Sequence, residues 1–231
     1  MLNFTLFLEN KDTLNQIIDI VKTFDNKTPL LFRGSYKELD SYGKIAVRKD
    51  RKPTSTDVET QEELDFFFKE KFGVKLRSES LFATLDVDMA ETYGNLIIVV
   101  PKESTNYYTN PHIKDLFYAF DTVDSLLTSK LLLSDELPDI LRKLSSITHK
   151  AYTPDTLDEI PIKELIKNLK REDYSFIFKR AIDGYKKVTA ISDIKTNNEV
   201  MVDCDEYYYV RYTREMKMRN YGDLLTTLEK L

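Results

Sequence analysis

The sequence predicts an α+β fold, and three observations predict it. β-rich runs lie on both sides of the chain's middle, a helical pattern fills residues 113 to 186, and strands and helices never alternate in the manner of a doubly wound parallel sheet. With 231 residues, of which 42% are apolar and 12% aromatic, the chain has material for a sizeable core. It carries no internal repeat, low-complexity tract or Pro/Gly/Ser linker, so a single domain over 1–231 is expected, with the helical block set within it.

Taken in order, Thr13 to Phe24 places Leu14, Ile17, Ile18 and Val21 at helical spacing, and Asn26 to Pro29 breaks that helix before the short strand Leu30-Leu31-Phe32, which ends on Arg33-Gly34. Residues 35–60 are polar and read as a long exposed loop. It contains a basic run of Lys44, Arg48, Lys49, Arg51 and Lys52, then Pro53 and a Ser/Thr-rich stretch. Gln61 to Phe72 forms a second amphipathic helix with Leu64, Phe67, Phe68 and Phe72 on one side and Gly73 as its cap. Leu76 to Thr84 reads as a strand. Asp86 or Asp88 then caps a short helix running to Tyr93-Gly94, and Leu96 to Val100 is a strand stopped by Pro101. Val188 to Ile191, Val200 to Val202 and Tyr207 to Tyr212 are short β-rich runs, the last two joined by a solvated hairpin turn at Asp203-Cys204-Asp205-Glu206.

Composition removes several function classes. Lys and Arg total 34 against 39 Asp and Glu, so the net charge of −5 argues against bulk nucleic-acid binding while leaving room for a local basic face. Cys204 is the single cysteine and cannot close an internal disulfide; with only His112 and His149 beside it, a structural zinc site is excluded. No GxGxxG or GxxxxGK[ST] pattern is present, which disfavours a Rossmann site and a P-loop. No apolar run approaches the roughly 20 residues that span a bilayer, and the first residues lack a charged leader, so a soluble protein of a reducing compartment, the cytoplasm, with no membrane partner is expected.

The residues that carry chemistry stand at strand ends. Arg33 follows Leu31-Phe32 and precedes Gly34; Ser80-Leu-Phe-Ala-Thr84 is followed by Ala90-Glu-Thr-Tyr93-Gly94; and Asn197-Asn198-Glu199 opens Val200-Met-Val202. This order resembles the ADP-ribosyltransferases of the Arg–Ser–Glu type, and the basic loop from Arg48 to Thr54 resembles small transferases of tailed phages and toxin systems. The resemblance runs from about residue 30 to 210. It implies a split β-sheet core with N-terminal helices and a helical insertion, NAD as substrate, no metal, and a mono-ADP-ribosyltransferase acting on a macromolecular acceptor, protein or nucleic acid. Arg33 and Gly34 then match the phosphate-holding strand, Ser80 and Thr84 the ribose-supporting strand, Tyr93 the nicotinamide pocket and Glu199 the catalytic carboxylate. Arg77 is a second candidate for phosphate, and Asn197 sits where the family sets acceptor choice and orientation.

The chemistry needs these residue types. Breaking the nicotinamide–ribose bond develops a cation on the ribose, which a carboxylate stabilises, while a guanidinium matches diphosphate oxygens with a planar fork of donors. Ser78, Ser80 and Thr84 compete for the ribose contact. Ala83 replaces a family serine, and Asn197, an amide, cannot serve as a general base, which disfavours arginine as acceptor. Two other readings stand beside the transferase: a non-catalytic binding module on the same scaffold, and a metal-dependent nuclease using Asp86, Asp88 and Glu91 or Asp203 and Asp205. The basic tail Arg211, Arg214, Lys217 and Arg219, with Tyr207 to Tyr209 as stacking aromatics, would serve a nucleic-acid acceptor.

Overall fold

A computed structural model describes residues 4–52, 57–102 and 105–230. Pro53 and most of the Ser/Thr-rich stretch expected in the basic loop lie outside the described residues. In chain order the elements are α1 (Phe4–Val21), β1 (Leu31–Ser35), β2 (Tyr42–Ala46), α2 (Val58–Phe72), α3 (Leu76–Glu79), β3 (Leu81–Thr84), α4 (Val87–Glu91), β4 (Asn95–Pro101) and β5 (Asn106–Thr109). There follow α5 (Leu116–Ala119), α6 (Val123–Thr128), α7 (Leu137–Thr148), α8 (Ile162–Asn168), α9 (Arg171–Asp183), β6 (Lys186–Val188), β7 (Glu199–Asp203), β8 (Glu206–Arg211) and α10 (Tyr221–Leu228). Helices and an antiparallel sheet make the chain α+β. No helix among the described residues is long and apolar enough to cross a membrane.

The chain divides into two compact units, each assembled from separated segments. The first, residues 1–48, 80–109 and 187–231, holds the sheet in the order β2-β8-β4-β1-β3-β7-β5-β6. Its core covers both faces of these strands, with the consecutive Ile98, Val99 and Val100 and also Leu31, Val200 and Val202 fully buried, and Ile17, Tyr221 and Leu224 join it from α1 and α10. The Tyr221 hydroxyl donates to the Val99 carbonyl at 2.5 Å, and the Tyr208 hydroxyl donates to Gln16 at 2.7 Å, so the aromatic tips are satisfied within the core. At the β2 edge, Glu206 takes ion pairs from Lys44 at 3.2 Å and from Lys102.

Between β1 and β3 the sheet almost parts, because their pairing consists of Phe32 opposite Thr84 alone. Two four-stranded halves result. β7 and β8, expected as a hairpin, belong to different halves: β7 pairs with β3 and β5, and β8 with β4 and β2, so Cys204-Asp205 carries the chain across from one half to the other. The two strands are each too well matched to other partners for a two-residue turn to dictate their pairing. The long loop expected over 35–60 contains β2, an edge strand whose alternation is broken by Gly43. β5 carries no alternating signal because Tyr107, Tyr108 and Thr109 are all buried. The β-rich run at Val188 to Ile191 begins earlier, at Lys186, and gives way to a 3-10 turn over Ile191–Asp193.

The second unit, residues 49–79 and 110–186, contains α2, α3 and α5 to α9. The helical block read within one domain thus has its own core. Phe67 and Phe178 stack at 5.7 Å, Phe120 meets Phe178 at 4.8 Å, and Phe68 meets Tyr185 at 5.1 Å. α2 is capped by Asp57 at its start and by Gly73, at φ 80°, at its end. Arg180 clamps Glu136 through both guanidinium nitrogens, at 2.7 and 2.9 Å, which holds the Glu136 carboxyl below its ordinary range.

Leu76 to Glu79, expected as strand, is a helical turn, and tertiary hydrogen bonds select it. Buried Asp65 of α2 accepts from the Arg77 and Ser78 amides at 2.8 and 3.2 Å and from the Ser78 hydroxyl. At the other end, Arg51 gives its amide to the Ser78 carbonyl and its guanidinium to the Arg77 carbonyl, while Lys49 donates to the Glu79 carbonyl. Two cations of the basic loop therefore complete a helix C-terminus. Burial raises the Asp65 pKa against the opposing hydrogen bonds from Ser78 and Arg77.

A folded-state pKa above the unfolded one makes the folded protein hold a proton that the unfolded chain has already lost. Stability therefore falls as pH rises from the ordinary aspartate range through the folded pKa, then levels. Asp65→Asn keeps an acceptor for the two amides and removes the ionisation. Urea unfolding from about pH 4 to about pH 7 should show this part of the slope in the wild type and its loss in the variant; equal slopes contradict this account of Asp65.

Candidate functional site

The sequence-predicted residues of the first unit gather where the sheet splits. β1, β3 and β7 are consecutive in the sheet and carry Arg33, Thr84 and Glu199. In register, Phe32 lies opposite Thr84 and Thr84 opposite Glu199, so Thr84 and Glu199 are cross-strand neighbours on one face. Val200 and Val202 turn to the other face, into the core, and this alternation presents Glu199, itself buried, at the start of β7.

Arg33 is half-buried and donates from Nη1 to the Phe82 carbonyl at 2.7 Å, which reaches across the split from β1 to β3. Burial lowers its guanidinium pKa, and the nearby Tyr207 hydroxyl acts in the opposite sense. Gly34 has a different task. A methyl group there would run into the Ala90 carbonyl oxygen and lie 2.7 Å from Tyr93 Cβ, so glycine lets α4 and the following turn close down on β1. Gly34, Ala90 and half-buried Tyr93 form one packing contact, and Gly34 acts there as a spacer rather than as a ligand-facing residue.

Thr84 uses its hydroxyl twice within the protein. It donates to the Asn197 carbonyl at 2.6 Å and accepts from the Asp86 amide at 3.0 Å. The turn before Glu199 is thereby pinned to the start of α4, where Asp86 caps the helix through the Asp88 and Met89 amides. Asn197 itself is exposed beside this pinned turn. Ser80 is buried just before β3, in strand phase with Phe82 and Thr84. Ala83, in place of the family serine, points to the opposite, apolar face.

Arg77 and Ser78 belong to the second unit, where Ser78 bonds Asp65 and accepts from Gln61 at 3.2 Å. Of the competing hydroxyls, Ser80 and Thr84 are therefore the two in the unit that holds Glu199. Of the carboxylates considered for a metal, Asp86 caps α4, and Arg214 pairs with Asp88 at 2.5 Å and Glu91 at 2.6 Å. The same pairs raise the Arg214 pKa and withdraw this residue from a basic tail. Tyr207, Tyr208 and Tyr209 are buried and present no stacking platform. Among the described residues, no group of three His, Cys, Asp or Glu side chains is placed to hold a metal ion. A cavity of about 310 Å³ elsewhere in this unit, lined by Thr23, Phe24, Thr105, Tyr107 and Ser192 among others, includes none of the predicted site residues.

No protein-family model, curated protein or solved structure matches the chain.

Two substitutions test how the site is held. Thr84→Val removes both hydroxyl bonds and should cost about 1–2 kcal/mol, with faster amide exchange over Thr196 to Glu199, whereas Thr84→Ser keeps both. Exchange in Thr84→Val indistinguishable from wild type would show that the clamp does not hold the turn. Gly34→Ala should destabilise by about 1–3 kcal/mol in chemical unfolding, since the added methyl meets backbone rather than a yielding side chain; unchanged stability would contradict the close approach.

Proposed function

We propose that the protein is a mono-ADP-ribosyltransferase that moves ADP-ribose from NAD to a macromolecular acceptor, protein or nucleic acid. The observation that carries this reading is where Arg33, Thr84 and Glu199 stand in the sheet. They are far apart in sequence, they match three motifs of one family in the family's order, and they lie on three adjacent strands. A division of the sheet into two halves beside these residues supports the same reading.

In this reading Arg33 holds the diphosphate with a fork of charge-assisted hydrogen bonds, leaving the nicotinamide–ribose bond near Glu199. That bond breaks with its electron pair going to the nicotinamide, which departs neutral, and positive charge develops on the ribose. The Glu199 carboxylate, held in a buried setting, stabilises that charge more than it stabilises neutral ground-state ribose, and this difference lowers the barrier. An acceptor nucleophile then forms the new bond to the ribose carbon and releases its proton. Thr84 positions the turn that carries Glu199. Tyr93 is read as a wall of the nicotinamide pocket, Ser80 as the remaining ribose-side hydroxyl, and Asn197, exposed two residues before Glu199, as the contact to the acceptor.

One observation favours a second reading, a binding module without turnover: Ala83 stands where the family has serine, and its side chain lies in the core, so no hydroxyl replaces it at that position.

Release of nicotinamide from NAD by the purified protein, alone and with cell lysate, separates the two. Glu199→Gln keeps the shape and removes the charge, and should lower release by about 10²–10³-fold. A variant as active as wild type contradicts the assignment of Glu199. Binding of NAD without release under any condition favours the binding module.

A further inference from the structure

Hydroxyl side chains from three distant segments meet at the cavity of about 310 Å³ in the first unit. Six of the described residues that line it carry one: Thr23 and Thr28 from the chain that follows α1, Thr105 and Tyr107 at the start of β5, and Thr189 and Ser192 from the chain that follows β6. Thr28, Thr105 and Tyr107 are buried and make the floor, while Thr23, Thr189 and Ser192 are exposed at the rim.

The floor is fixed through its backbone. Thr28 gives its amide to the Asp25 carbonyl at 2.8 Å and takes the Tyr221 amide on its own carbonyl at 3.0 Å, and Tyr107 stands opposite Val202 in the sheet. The floor's hydroxyls are less committed. Thr105 donates to the Lys102 carbonyl at 2.7 Å and keeps its lone pairs, whereas the Thr28 and Tyr107 hydroxyls make no hydrogen bond with the described residues. Leaving a buried hydroxyl unbonded is costly, so two of them on one cavity call for an occupant that bonds them. Burial pushes the Tyr107 pKa up, and the Cys204 thiol acts in the same sense, so this hydroxyl stays neutral.

The lining also selects by charge and size. Lys102, the one cation among the described lining residues, pairs with Glu206, and Asp25 adds negative charge at the rim, so an anion meets no uncommitted partner. Phe24, its ring 4.5 Å from that of Tyr221, and buried Ile191 supply an apolar wall. A volume of about 310 Å³ lies at the small end of the range for ligand pockets, room for one ring rather than a dinucleotide.

We propose that this cavity binds a single uncharged sugar ring, free or at the end of a glycan. A hydroxyl donates or accepts by rotating its hydrogen, so a hydroxyl floor matches a ligand whose own hydroxyls do both, and it discriminates weakly between epimers. The site shares no residue with the seam of Arg33, Thr84 and Glu199, and the inference does not rest on the transferase reading.

Titration of the isotope-labelled protein with methyl α-glucoside, followed by backbone amide shifts, tests the proposal. Saturating shifts are expected at Thr28, Thr105, Tyr107 and Ile191, with methyl α-galactoside binding comparably and glucose 6-phosphate more weakly. Tyr107→Phe and Thr28→Val each remove a hydroxyl that bonds nothing in the protein. Each should weaken the sugar about fivefold while the melting temperature stays level or rises, the opposite of what a structural hydroxyl would show. Tyr36→Phe, at an exposed tyrosine outside the cavity, should bind as wild type. Maltotriose binding at least as well as methyl glucoside identifies a glycan end, and weaker binding identifies a free ring. No shifts at about 100 mM sugar, where a site with a Kd of about 10 mM is mostly filled, overturn the inference and leave water as the occupant. Wild-type affinity in both hydroxyl variants, or tighter binding of the phosphate ester, overturns it too. None of these results bears on the transferase reading, whereas displacement of the sugar by NAD would overturn the separate site.

Discussion

One residue pair, Phe32 opposite Thr84, joins the two halves of the sheet, and the arrangement of the candidate site follows from how little pairing there is at that seam. Beyond this pair the ladder between β1 and β3 stops, so polar backbone near the gap needs other partners. Side chains supply them: the Arg33 guanidinium takes the Phe82 carbonyl, and the Thr84 hydroxyl takes the Asn197 carbonyl and the Asp86 amide. The same residues that secure the seam are those the sequence motifs single out. A break in a sheet is a natural place for a site, because strand ends and side chains meet there without a continuous ladder between them. It is also sensitive, since each of these bonds stands where no neighbouring rung can share its loss.

Fixing that seam requires close packing from α4. Gly34 admits the Ala90 and Tyr93 backbone against β1, Asp86 sets where α4 begins, and Arg214 ties α4 to the chain that follows β8 through two carboxylates. Charged residues that read as candidate ligands in one dimension thus serve as fastenings in three. Lys49 and Arg51 do the same in the second unit, where they complete the α3 C-terminus.

Much of this was legible in the sequence, and the exceptions share a cause. α2 with its Gly73 cap, α4 with its Asp86 cap, β4 up to Pro101 and the strands opening at Glu199 and near Tyr207 all carry local signals strong enough to survive folding. The strand positions of Arg33, Thr84 and Glu199 were readable because each borders an apolar run. The helical turn at Leu76–Glu79 was not, since it is selected by Asp65, more than ten residues away, and by two cations of a preceding loop. The separation of β7 from β8 was hidden too, because two residues between strands suggest a hairpin and only the full set of partners shows otherwise.

In the transferase reading, NAD binds at the seam between β1, β3 and β7. Backbone amide resonances of the isotope-labelled protein, followed as NAD is added, address it without requiring turnover or knowledge of the acceptor. The largest shifts are expected at Arg33 and Gly34, at Thr84 and over Asn197 to Glu199, with saturation at a single affinity. Shifts centred elsewhere in the protein, or none at saturating NAD, would contradict it.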